Sequence, residues 1–271
     1  MKMKNYAEIM REGGCKTLNK SVFRFSNNAV KFLDGITAND MGKDANAFLD
    51  RLGKLIALAD QKVIGDEVYI IIEEKFEGRF LQHINSFLRL SKTKMEKLDL
   101  KTAHIINDSN NKTSNMPAAL EKNNNIIIRK NIGFIVLLKN DELRLLDNVN
   151  EIPDEIYEII RLENNIPVQG IDFDNVMLLE TWLDDAVSYT KGCYLGQEII
   201  ARVHYKGKPA RRLVRILYDK LPEDGNARIN EEIVGKISSK CFSPKYNKYL
   251  AFAMIRDYNN EADGGKIARG I

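Results

Sequence analysis

The octapeptide KGCYLGQE, residues 191–198, is the stretch on which the interpretation of this chain of 271 residues depends. Gly192 and Gly196 permit a tight backbone and the close approach of a ligand. The apolar spacing that follows predicts that a helix begins just beyond Cys193. The helix amides and the ammonium of Lys191 would then stabilise a thiolate, which is the environment of a reactive cysteine. Spacing alone slightly favours the alternative, in which Cys193 is a small buried apolar residue.

The segments on either side of the octapeptide differ in character. Leu178–His204 has a mostly helical pattern, which the two glycines interrupt. After Lys206-Gly207-Lys208-Pro209 the apolar residues alternate instead, which is typical of strands. We therefore predict a small β domain from about Lys208 onward, with strands over Arg212–Tyr218, Ile233–Ser238 and Leu250–Ile255.

Earlier in the chain, strand and helix patterns are mixed, which predicts an α+β fold. Asn107–Asn115 contains no apolar residue and is predicted to be a loop. Gly65, within the link Gln61–Asp66, indicates a hairpin. We predict strands at Val22–Phe25, Leu52–Asp60, Glu67–Ile72, Ile126–Arg129, Ile132–Leu138 and Glu142–Leu146, and helices at Asn28–Leu33, Lys75–Leu90 and Glu155–Glu163.

Composition and charge exclude several classes of protein. Hydrophobic residues make up 44% of the chain and charged residues 29%, which is enough apolar material for a core and excludes disorder throughout. A net charge of +3 is too small to indicate a nucleic-acid-binding protein by itself. Cys15, Cys193 and Cys241 do not form a disulfide framework, and the longest apolar run, Ile132–Leu138, is too short for a membrane helix. Residues 1–20 lack the apolar stretch of a signal peptide, so we expect a cytoplasmic, reducing setting.

Several segments resemble one protein family. The octapeptide is similar to K-G-C-Y-x-G-Q-E, the signature of the YgfZ family of folate-binding proteins, which is related to the aminomethyltransferase (T-protein) of the glycine cleavage system. The signature is highly specific and the outer segments are individually weak, but together they extend over most of the chain. The outer segments are FLDGITAND at 32–40, RLENNIP at 161–167, Gly170-Ile171-Asp172, LDDAVSYT at 183–190 and VGKISS at 234–239.

This resemblance implies both a fold and a function. Family members have a cloverleaf of α/β lobes around a central folate site, followed by a small β-barrel, which correspond here to residues 1–207 and 208–271. They bind tetrahydrofolate or a derivative and support the assembly or repair of iron–sulfur enzymes, including enzymes that thiolate tRNA. The expected partners are therefore a folate and client iron–sulfur proteins. Classical enzymatic turnover is not expected, and the oligomeric state is left open.

The resemblance also assigns roles to individual residues. Cys193 and Lys191 form the predicted catalytic group, with Cys193 acting as a nucleophile, a redox thiol or a transient metal ligand. Arg161 either binds the carboxylate tail of the folate or forms a surface ion pair within its helix. Gln197 and Glu198 either contact the ligand or hold the loop. The predicted folate contacts are Asn39, Asp40, Arg161, Glu163, Tyr194, Gly196, Gln197 and Glu198, and no metal ligand is predicted.

The chain departs from the family pattern at three places. Asn165 stands where the family has a glycine, and the chain is shorter, with the trimmed loop expected near Asn107–Ile126. In the aminomethyltransferases a catalytic aspartate follows a Gly-Gly-Ile-x-Asp-Asp type segment, whereas here the nearest carboxylate after Gly53, that of Asp60, lies two residues late. In a strand this moves the group by about 6.6 Å, and a misplacement of about 1 Å can cost roughly 100-fold in rate. A folate-dependent aminomethyl or one-carbon transferase is therefore the alternative prediction.

The remaining polar groups have simpler explanations. Five cations and no acid lie between Lys206 and Arg215, which fits an RNA-binding patch, a seat for polyglutamyl folate or a solvated face. Tyr205 is the single aromatic residue there, so we do not expect direct nucleic-acid binding. Asp184-Asp185 fits turn or capping residues better than an acid–base pair. The histidines lack the spacing of a metal site, and three dispersed cysteines do not predict a stable iron–sulfur cluster.

Overall fold

The computed structural model describes residues 2–106, 125–147, 149–229, 232–256 and 267–268. Within these residues, three antiparallel sheets combine with five α-helices, which confirms the α+β class. None of the helices in the described part of the chain is both long and apolar enough to cross a membrane. The helices are α1 (Lys2–Glu12), α2 (Ala29–Asp34), α3 (Glu77–Leu88), α4 (Asp154–Glu163) and α5 (Gln197–Lys206).

The first sheet supplies two turns that later support the candidate site. It consists of β2 (Lys20–Ser26), β3 (Ala45–Leu49), β4 (Leu55–Ile64), β5 (Glu67–Glu73) and β6 (Lys94–Leu98), in the order β3-β4-β5-β2-β6. The predicted hairpin is tighter than expected, because β4 continues to Ile64 and Gly65 makes the turn at φ +56°. Helix α3 covers this sheet with Phe80, whose ring centroid lies 4.9 Å from those of Phe23 and Phe48.

The second sheet packs against both the first sheet and two helices. It consists of β1 (Gly14–Leu18), β7 (Lys101–Ile106), β8 (Ile126–Arg129) and β9 (Phe134–Leu138), in the order β1-β7-β9-β8. Ile128 and Leu137 pack against Val22 and Ile71 of the first sheet. At its opposite side, Ile106 shares a buried cluster with apolar residues of α1 and α4. The burial of both sides explains why β8 and β9 are nearly continuous apolar runs.

The third sheet contains the C-terminal strands. It consists of β10 (Arg212–Tyr218), β11 (Asn226–Ile229), β12 (Glu232–Ser243), β13 (Lys248–Ile255) and β14 (Ile267–Ala268), in the order β11-β12-β13-β10-β14. This order is that of an open sheet among the described strands, so the expected barrel stays a prediction. A Cβ added at Gly235 would lie 2.0 Å from the carbonyl oxygen of Met254, so only glycine allows this approach of β12 to β13.

The third sheet shares its core with the rest of the chain. Leu213, Leu250 and Phe252 belong to the same buried cluster as Leu162 of α4 and Ile200 of α5. Apolar contacts therefore cross the point at which the sequence pattern changes. The division into residues 1–207 and 208–271 stays a prediction based on that pattern.

The sequence predicts a strand over Glu142–Leu146, and this prediction is wrong. The segment belongs to a 3₁₀ helix, Asn140–Leu146. Leu143, Leu145 and Leu146 all pack partly buried against the second sheet. In a segment this short, the spacing of the leucines fits both a helical turn and the alternation of a strand, so the sequence pattern does not distinguish the two.

The mostly helical pattern predicted over Leu178–His204 is also largely wrong. Before α5, the backbone forms only two short 3₁₀ turns, Leu178–Glu180 and Asp184–Ala186. The Thr181 hydroxyl donates to the carbonyl of Leu178 at 2.7 Å, and the Glu180 carboxylate accepts from the amide of Met177 at 3.1 Å. Such bonds from side chain to backbone compete with a regular helix. The loop predicted at Asn107–Asn115 lies outside the described residues.

Candidate functional site

We call residues 188–196 the thiol loop, because its exposed tip carries Cys193. Gly192 is also exposed, and a Cβ added there would meet no atom within 4 Å. The residues on either side are buried: the Lys191 side chain is 2% exposed and Tyr194 is 7% exposed. The loop therefore presents a thiol to solvent between two fixed side chains, and the alternative of a buried apolar cysteine is wrong.

Lys191 fixes one side of the thiol loop. Its ammonium donates to the carbonyl oxygens of Asp34 at 2.8 Å, Thr37 at 3.0 Å and Asn39 at 2.9 Å. It also lies 3.1 Å from the Asp34 carboxylate. A lysine has three N–H donors, so these three carbonyls use all of them. The geometry makes Lys191 an anchor on the turn after α2, and its predicted part in the chemistry of Cys193 stays a prediction.

A buried polar network shapes the turn that Lys191 grips. The side-chain amide of Asn39 donates to the carbonyls of Ala45 at 2.9 Å and Asp185 at 2.7 Å. The side-chain oxygen of Asn46 accepts from the backbone amide of Asn39 at 2.7 Å, and its side-chain nitrogen donates to Gln61 at 3.0 Å. Asn39 thus uses both N–H donors of its side chain within the protein. Of the two folate contacts predicted on this turn, the half-buried Asp40 is the one whose side chain is partly exposed to solvent. Sequence reasoning missed Asn46 and Gln61, although polar residues inside apolar strands are a usable signal.

Gly196 fixes the other side of the thiol loop. Its φ is +83°, and a Cβ added there would lie 2.6 Å from the carbonyl oxygen of Asp50. The Asp50 carboxylate shapes the facing turn by accepting from the amides of Leu52 at 2.8 Å and Lys54 at 2.9 Å. Gly196 is therefore required by contact with the chain itself, which accounts for it without a ligand. Burial raises the pKa of the neighbouring Tyr194 to about 12, so its phenol stays neutral at physiological pH.

Gln197 and Glu198 form the first turn of α5. Glu198 is exposed and lies 3.0 Å from Arg202 one turn later. A carboxylate in the first turn of a helix is stabilised by the helix dipole, so this position is explained by helix stability. Gln197 is half-buried. Both residues are more exposed than Asn39 and Tyr194, which are buried.

Asp60 is a buried carboxylate held by two cations. It accepts from Lys20 at 3.1 Å and forms a short hydrogen bond with Lys130. Burial alone would raise the pKa of Asp60, but the ammonium groups of Lys130 and Lys20 outweigh it and hold this pKa well below its usual range. A carboxylate stabilised in this way is a weak base. The geometry thus supports the expectation that Asp60 does not replace the missing catalytic aspartate.

Arg161 lies at the centre of a buried network at the C-terminal end of α4. It donates to Glu158 through Nε at 2.5 Å, to Asp172 through Nη1 at 2.7 Å and to Ser239 of β12 through Nη2 at 2.6 Å. Further bonds to the Ile166 carbonyl at 3.3 Å and to the second Glu158 oxygen at 2.7 Å complete its five donors. Its side chain is 2% exposed. Arg161 thus forms the predicted ion pair within its helix, with Glu158, but from a buried position. Its donors are all bound within the protein, so the geometry does not support a contact with a folate tail.

Glu163 has a similar structural part. Its carboxylate accepts from the hydroxyl of Tyr6 at 2.5 Å and forms a short hydrogen bond with Ser243. These bonds connect α4 to α1 and to the end of β12. The carboxylate is buried, so the geometry does not support the predicted contact with folate.

The basic run after α5 is dispersed by the fold. Arg215 is buried and donates to the carbonyls of Leu162 at 2.8 Å and Glu163 at 2.6 Å. Arg211 binds the Glu180 carboxylate at 3.2 Å, and the guanidinium of Arg212 lies 3.4 Å from the ring centroid of Trp182. A continuous solvated basic face is therefore not present. Sequence reasoning did not predict that Glu180 would be buried and paired with Arg211.

Cys193 is the exposed thiol of the three cysteines. Burial raises the pKa of Cys15 to about 11 and that of Cys241 to about 12, so both stay protonated. Within the described residues, no three His, Cys, Asp or Glu side chains come together to hold a metal ion. An ion bound to Cys193 would therefore need ligands from outside this described part.

Two cavities lie away from the thiol loop. One, of about 330 Å³, separates the segment Asp172–Val176 from the third sheet, and Arg211 and Lys236 line it. The other, of about 290 Å³, is lined by Lys20, Lys97 and Lys101 together with Glu74 and Asp99. In the second cavity Lys20 and Lys97 are already paired with carboxylates. In the first, Arg211 is paired with Glu180 and two aspartates also line the cavity, so Lys236 is the cation that it offers to an anionic ligand.

Comparisons with known proteins relate the chain to two kinds of protein. No family model matches it. The chain is 24% identical over 197 residues to an uncharacterized protein of Haemophilus influenzae, covering 68% of this chain and 66% of that protein. It is 33% identical over 111 residues to an iron–sulfur cluster assembly factor IBA57 homolog, mitochondrial, of Dictyostelium discoideum, covering 38% and 27%. Each match thus covers at most 66% of the relative's length.

A solved structure shows the fold. The glycine cleavage system aminomethyltransferase T from Bartonella henselae matches with a TM-score of 0.77 at 14% identity. The match covers 93% of this chain and 81% of that one. Nearly all of the chain therefore has the fold of this aminomethyltransferase.

Proposed function

For a chain that is related to aminomethyltransferases and to IBA57-type assembly factors, we propose a role as a cytoplasmic, folate-binding accessory factor in the maturation of iron–sulfur proteins. Its clients would include tRNA-modifying enzymes, and Cys193 is the residue through which it acts. The observation that supports this most strongly is the thiol loop, whose tip is exposed while Lys191 and Tyr194 beside it are buried.

An exposed thiol on a fixed loop is suited to reaction with another molecule. The thiolate is the form of cysteine that attacks electrophiles and binds metals. Cys15 and Cys241 are buried or partly buried and stay protonated, so neither is a ready partner for Cys193. The group with which Cys193 reacts, or the metal that it binds, is therefore supplied by a client protein.

The cavity of about 330 Å³ fits part of a folate. Its volume is at the lower end of that of ligand pockets. Lys236 would bind a carboxylate of the glutamate tail, because an ammonium is a natural partner of a carboxylate. Arg211 already binds Glu180, so it is a weaker candidate for this contact. Bound tetrahydrofolate would supply a carrier for one-carbon units. We do not assign Asn39, Arg161 or Glu163 to this ligand, since their polar groups are bound within the protein.

The alternative, a one-carbon transferase, has less support. The fold permits it, but fold does not determine chemistry. Asp60 is displaced along β4, and Lys20 and Lys130 bind its carboxylate. Turnover of an aminomethylated or methylated donor with tetrahydrofolate would restore this alternative.

Complementation tests the role of the thiol. In a strain from which the gene is deleted, we expect reduced activity of iron–sulfur enzymes, which the wild-type chain restores. Cys193→Ala should not restore it although the variant folds. Cys241→Ala is the matched control, because it removes a partly buried thiol and should restore activity. Full rescue by Cys193→Ala would contradict the proposal.

A titration with tetrahydrofolate tests the ligand. We expect saturable binding in the micromolar range, near −8 kcal/mol, followed by Trp182 fluorescence and by calorimetry. Lys236→Gln should weaken this binding, whereas Lys240→Gln, an exposed lysine of the same strand, should not. Absence of binding by both methods would exclude folate and leave the role of the thiol to the complementation experiment.

A further inference from the structure

Trp182 is held at the surface by a strained backbone. Its φ is +59°, which is rare and strained for a bulky residue. The side chain remains 39% exposed, with the guanidinium of Arg212 lying 3.4 Å from its ring centroid. The fold thus keeps a partly exposed indole stacked on a cation, although turning the indole into the core would bury more apolar area.

A second aromatic stack lies close to the first. The rings of Tyr189 and His204 are 3.7 Å apart and nearly parallel, and Tyr205 meets His204 edge-on at 4.7 Å. Burial and the nearby Asp184 raise the pKa of Tyr189 to about 12, while the charge of Arg212 opposes this rise. Leu183, next to Trp182, packs against the same buried cluster as Tyr189 and Val203, so the two stacks rise from one part of the fold. Tyr205 is 67% exposed at the outer end.

Cations continue this surface along α5. Lys206 and Lys208 are exposed, and no carboxylate in the described part of the chain pairs with either. At the other end of the helix, about 15 Å away by its length, Arg51 and Lys54 are exposed on the turn that faces Gly196. The exposed acids on this side are Asp184, Asp185 and Glu198, of which Glu198 is paired with Arg202.

We propose that this surface, which we call the aromatic–cation face, binds single-stranded nucleic acid. The face consists of Trp182, Tyr189, His204, Tyr205, Lys206, Lys208 and Arg212. Bases would stack on Tyr205 and on the indole of Trp182, while Lys206 and Lys208 bind phosphates. Aromatic platforms beside cations are the common device for binding single strands.

The fold alters the premise of the sequence prediction. That prediction did not expect direct nucleic-acid binding because Tyr205 was the single aromatic residue near the basic run. In the fold, Tyr189 stacks on His204 beside Tyr205, and Trp182 lies against Arg212 of the basic run, so further rings accompany these cations. An acidic peptide would use the cations but not the exposed ring of Tyr205, so a nucleic acid fits the face better.

The test uses the full chain and a fluorescently labelled RNA of 12 nucleotides without secondary structure. We expect binding at 50 mM salt that weakens steeply as salt is raised, together with a change in Trp182 fluorescence. Tyr205→Ala should weaken binding about tenfold, from the loss of one base stack. Lys206→Gln combined with Lys208→Gln should reduce the salt slope by about 1.4, from two lost phosphate contacts.

Controls separate this proposal from the others. Lys220→Gln removes an exposed lysine that pairs with Glu223 on the third-sheet side, and should leave the affinity and the slope unchanged. Cys193→Ala should bind RNA like the wild type, since the face does not include the thiol. No binding at 50 mM salt would overturn the proposal. Equal competition by polyglutamate, with no effect of Tyr205→Ala, would overturn it in favour of an acidic protein partner.

Discussion

The C-terminal end of helix α4 and the thiol loop both lie in segments that resemble one protein family. Their functional groups are placed differently in the structure. Three polar side chains of α4 are turned inward, where Tyr157, Arg161 and Glu163 bind groups of the second sheet, the third sheet and α1. The thiol loop keeps Lys191 inward and presents Cys193 to solvent. The comparison shows that a signature contains both residues that hold the fold and residues that are available for chemistry.

The two groups are distinguished by the state of their hydrogen-bond donors. All five N–H donors of Arg161 and all three of Lys191 end on atoms of the chain. A group whose donors are all used binds a ligand only by breaking an existing bond. We therefore expect substitutions in α4 to change stability, and substitutions at the tip of the thiol loop to change function.

The largest expected effect is that of Arg161→Met. This variant leaves Asp172 as a buried carboxylate without its cation, which costs about 3–5 kcal/mol. The measurement is the free energy of unfolding in urea. Arg202→Met, on the exposed face of α5, is the control and should change it by less than about 0.5 kcal/mol. Similar losses for the two variants would remove the distinction between the helices.

The next effect is a dependence of stability on pH through His104. Its Nδ1 lies 3.0 Å from the Tyr157 hydroxyl of α4, and its Nε2 donates to the carbonyl of Ile132 at 2.8 Å. Burial lowers the pKa of His104 to about 4, below its unfolded value. Between about pH 4 and 6.5 the unfolded chain therefore binds more protons than the folded chain. About 3 kcal/mol of stability is present above pH 6.5 and is lost as the pH falls towards 4.

The measurement compares wild type and His104→Gln by urea unfolding at pH 7, 5.5 and 4.5. The difference between the two free energies should shrink as pH falls, because the variant has no imidazole to protonate. A constant difference would show that His104 titrates alike in the folded and unfolded states. Carboxylates elsewhere contribute equally to both proteins and cancel in this difference.

Lys191→Met tests whether the anchor of the thiol loop behaves like α4. The variant leaves three carbonyls around Asp34–Asn39 without their donor, and we expect a loss of about 2 kcal/mol. The reaction of Cys193 with a thiol reagent, followed over a range of pH, then separates the two roles. An unchanged pH profile with lower stability would make Lys191 an anchor alone, whereas a shifted profile would support the predicted chemical role.

Local periodicity made much of the fold predictable, since the strands at residues 22–25, 67–72 and 212–218 and the helix within Lys75–Leu90 all follow alternating or helical apolar patterns. Cys193 could be selected from its neighbours in sequence. The partners of Arg161 and Lys191 could not, because they lie up to 157 residues away and depend on how the sheets meet. An arginine or a lysine suits both a ligand contact and a bond within the protein. Which of the two it makes depends on how distant strands and turns are placed around it.

Two glycines of the octapeptide provide a matched pair with a smaller effect. Gly196→Ala introduces a Cβ near the Asp50 carbonyl at a positive φ, and should cost about 1–2 kcal/mol. Gly192→Ala points into open space and should change the free energy of unfolding by less than about 0.5 kcal/mol. Equal losses would indicate that the tip of the loop is packed as tightly as its base.

The smallest expected effect on stability is that of Cys193→Ala, at less than about 0.5 kcal/mol because the side chain is exposed. A thiol titration of the folded protein should show one fast-reacting group and two slow ones, and the variant should lose the fast one. A variant that keeps the fast phase would assign it to Cys15 or Cys241 and would contradict the exposure of the loop.

The bonds between α4 and the third sheet also bear on how the chain unfolds. Arg161 and Glu163 bind serines of β12, and Arg215 of β10 donates to the carbonyls at the end of the helix. If the C-terminal strands separated from α4, these buried charged groups would lose their partners. Each part would therefore be less stable alone than within the whole chain. We therefore expect the chain to unfold in one cooperative transition, although the sequence pattern changes near Lys208.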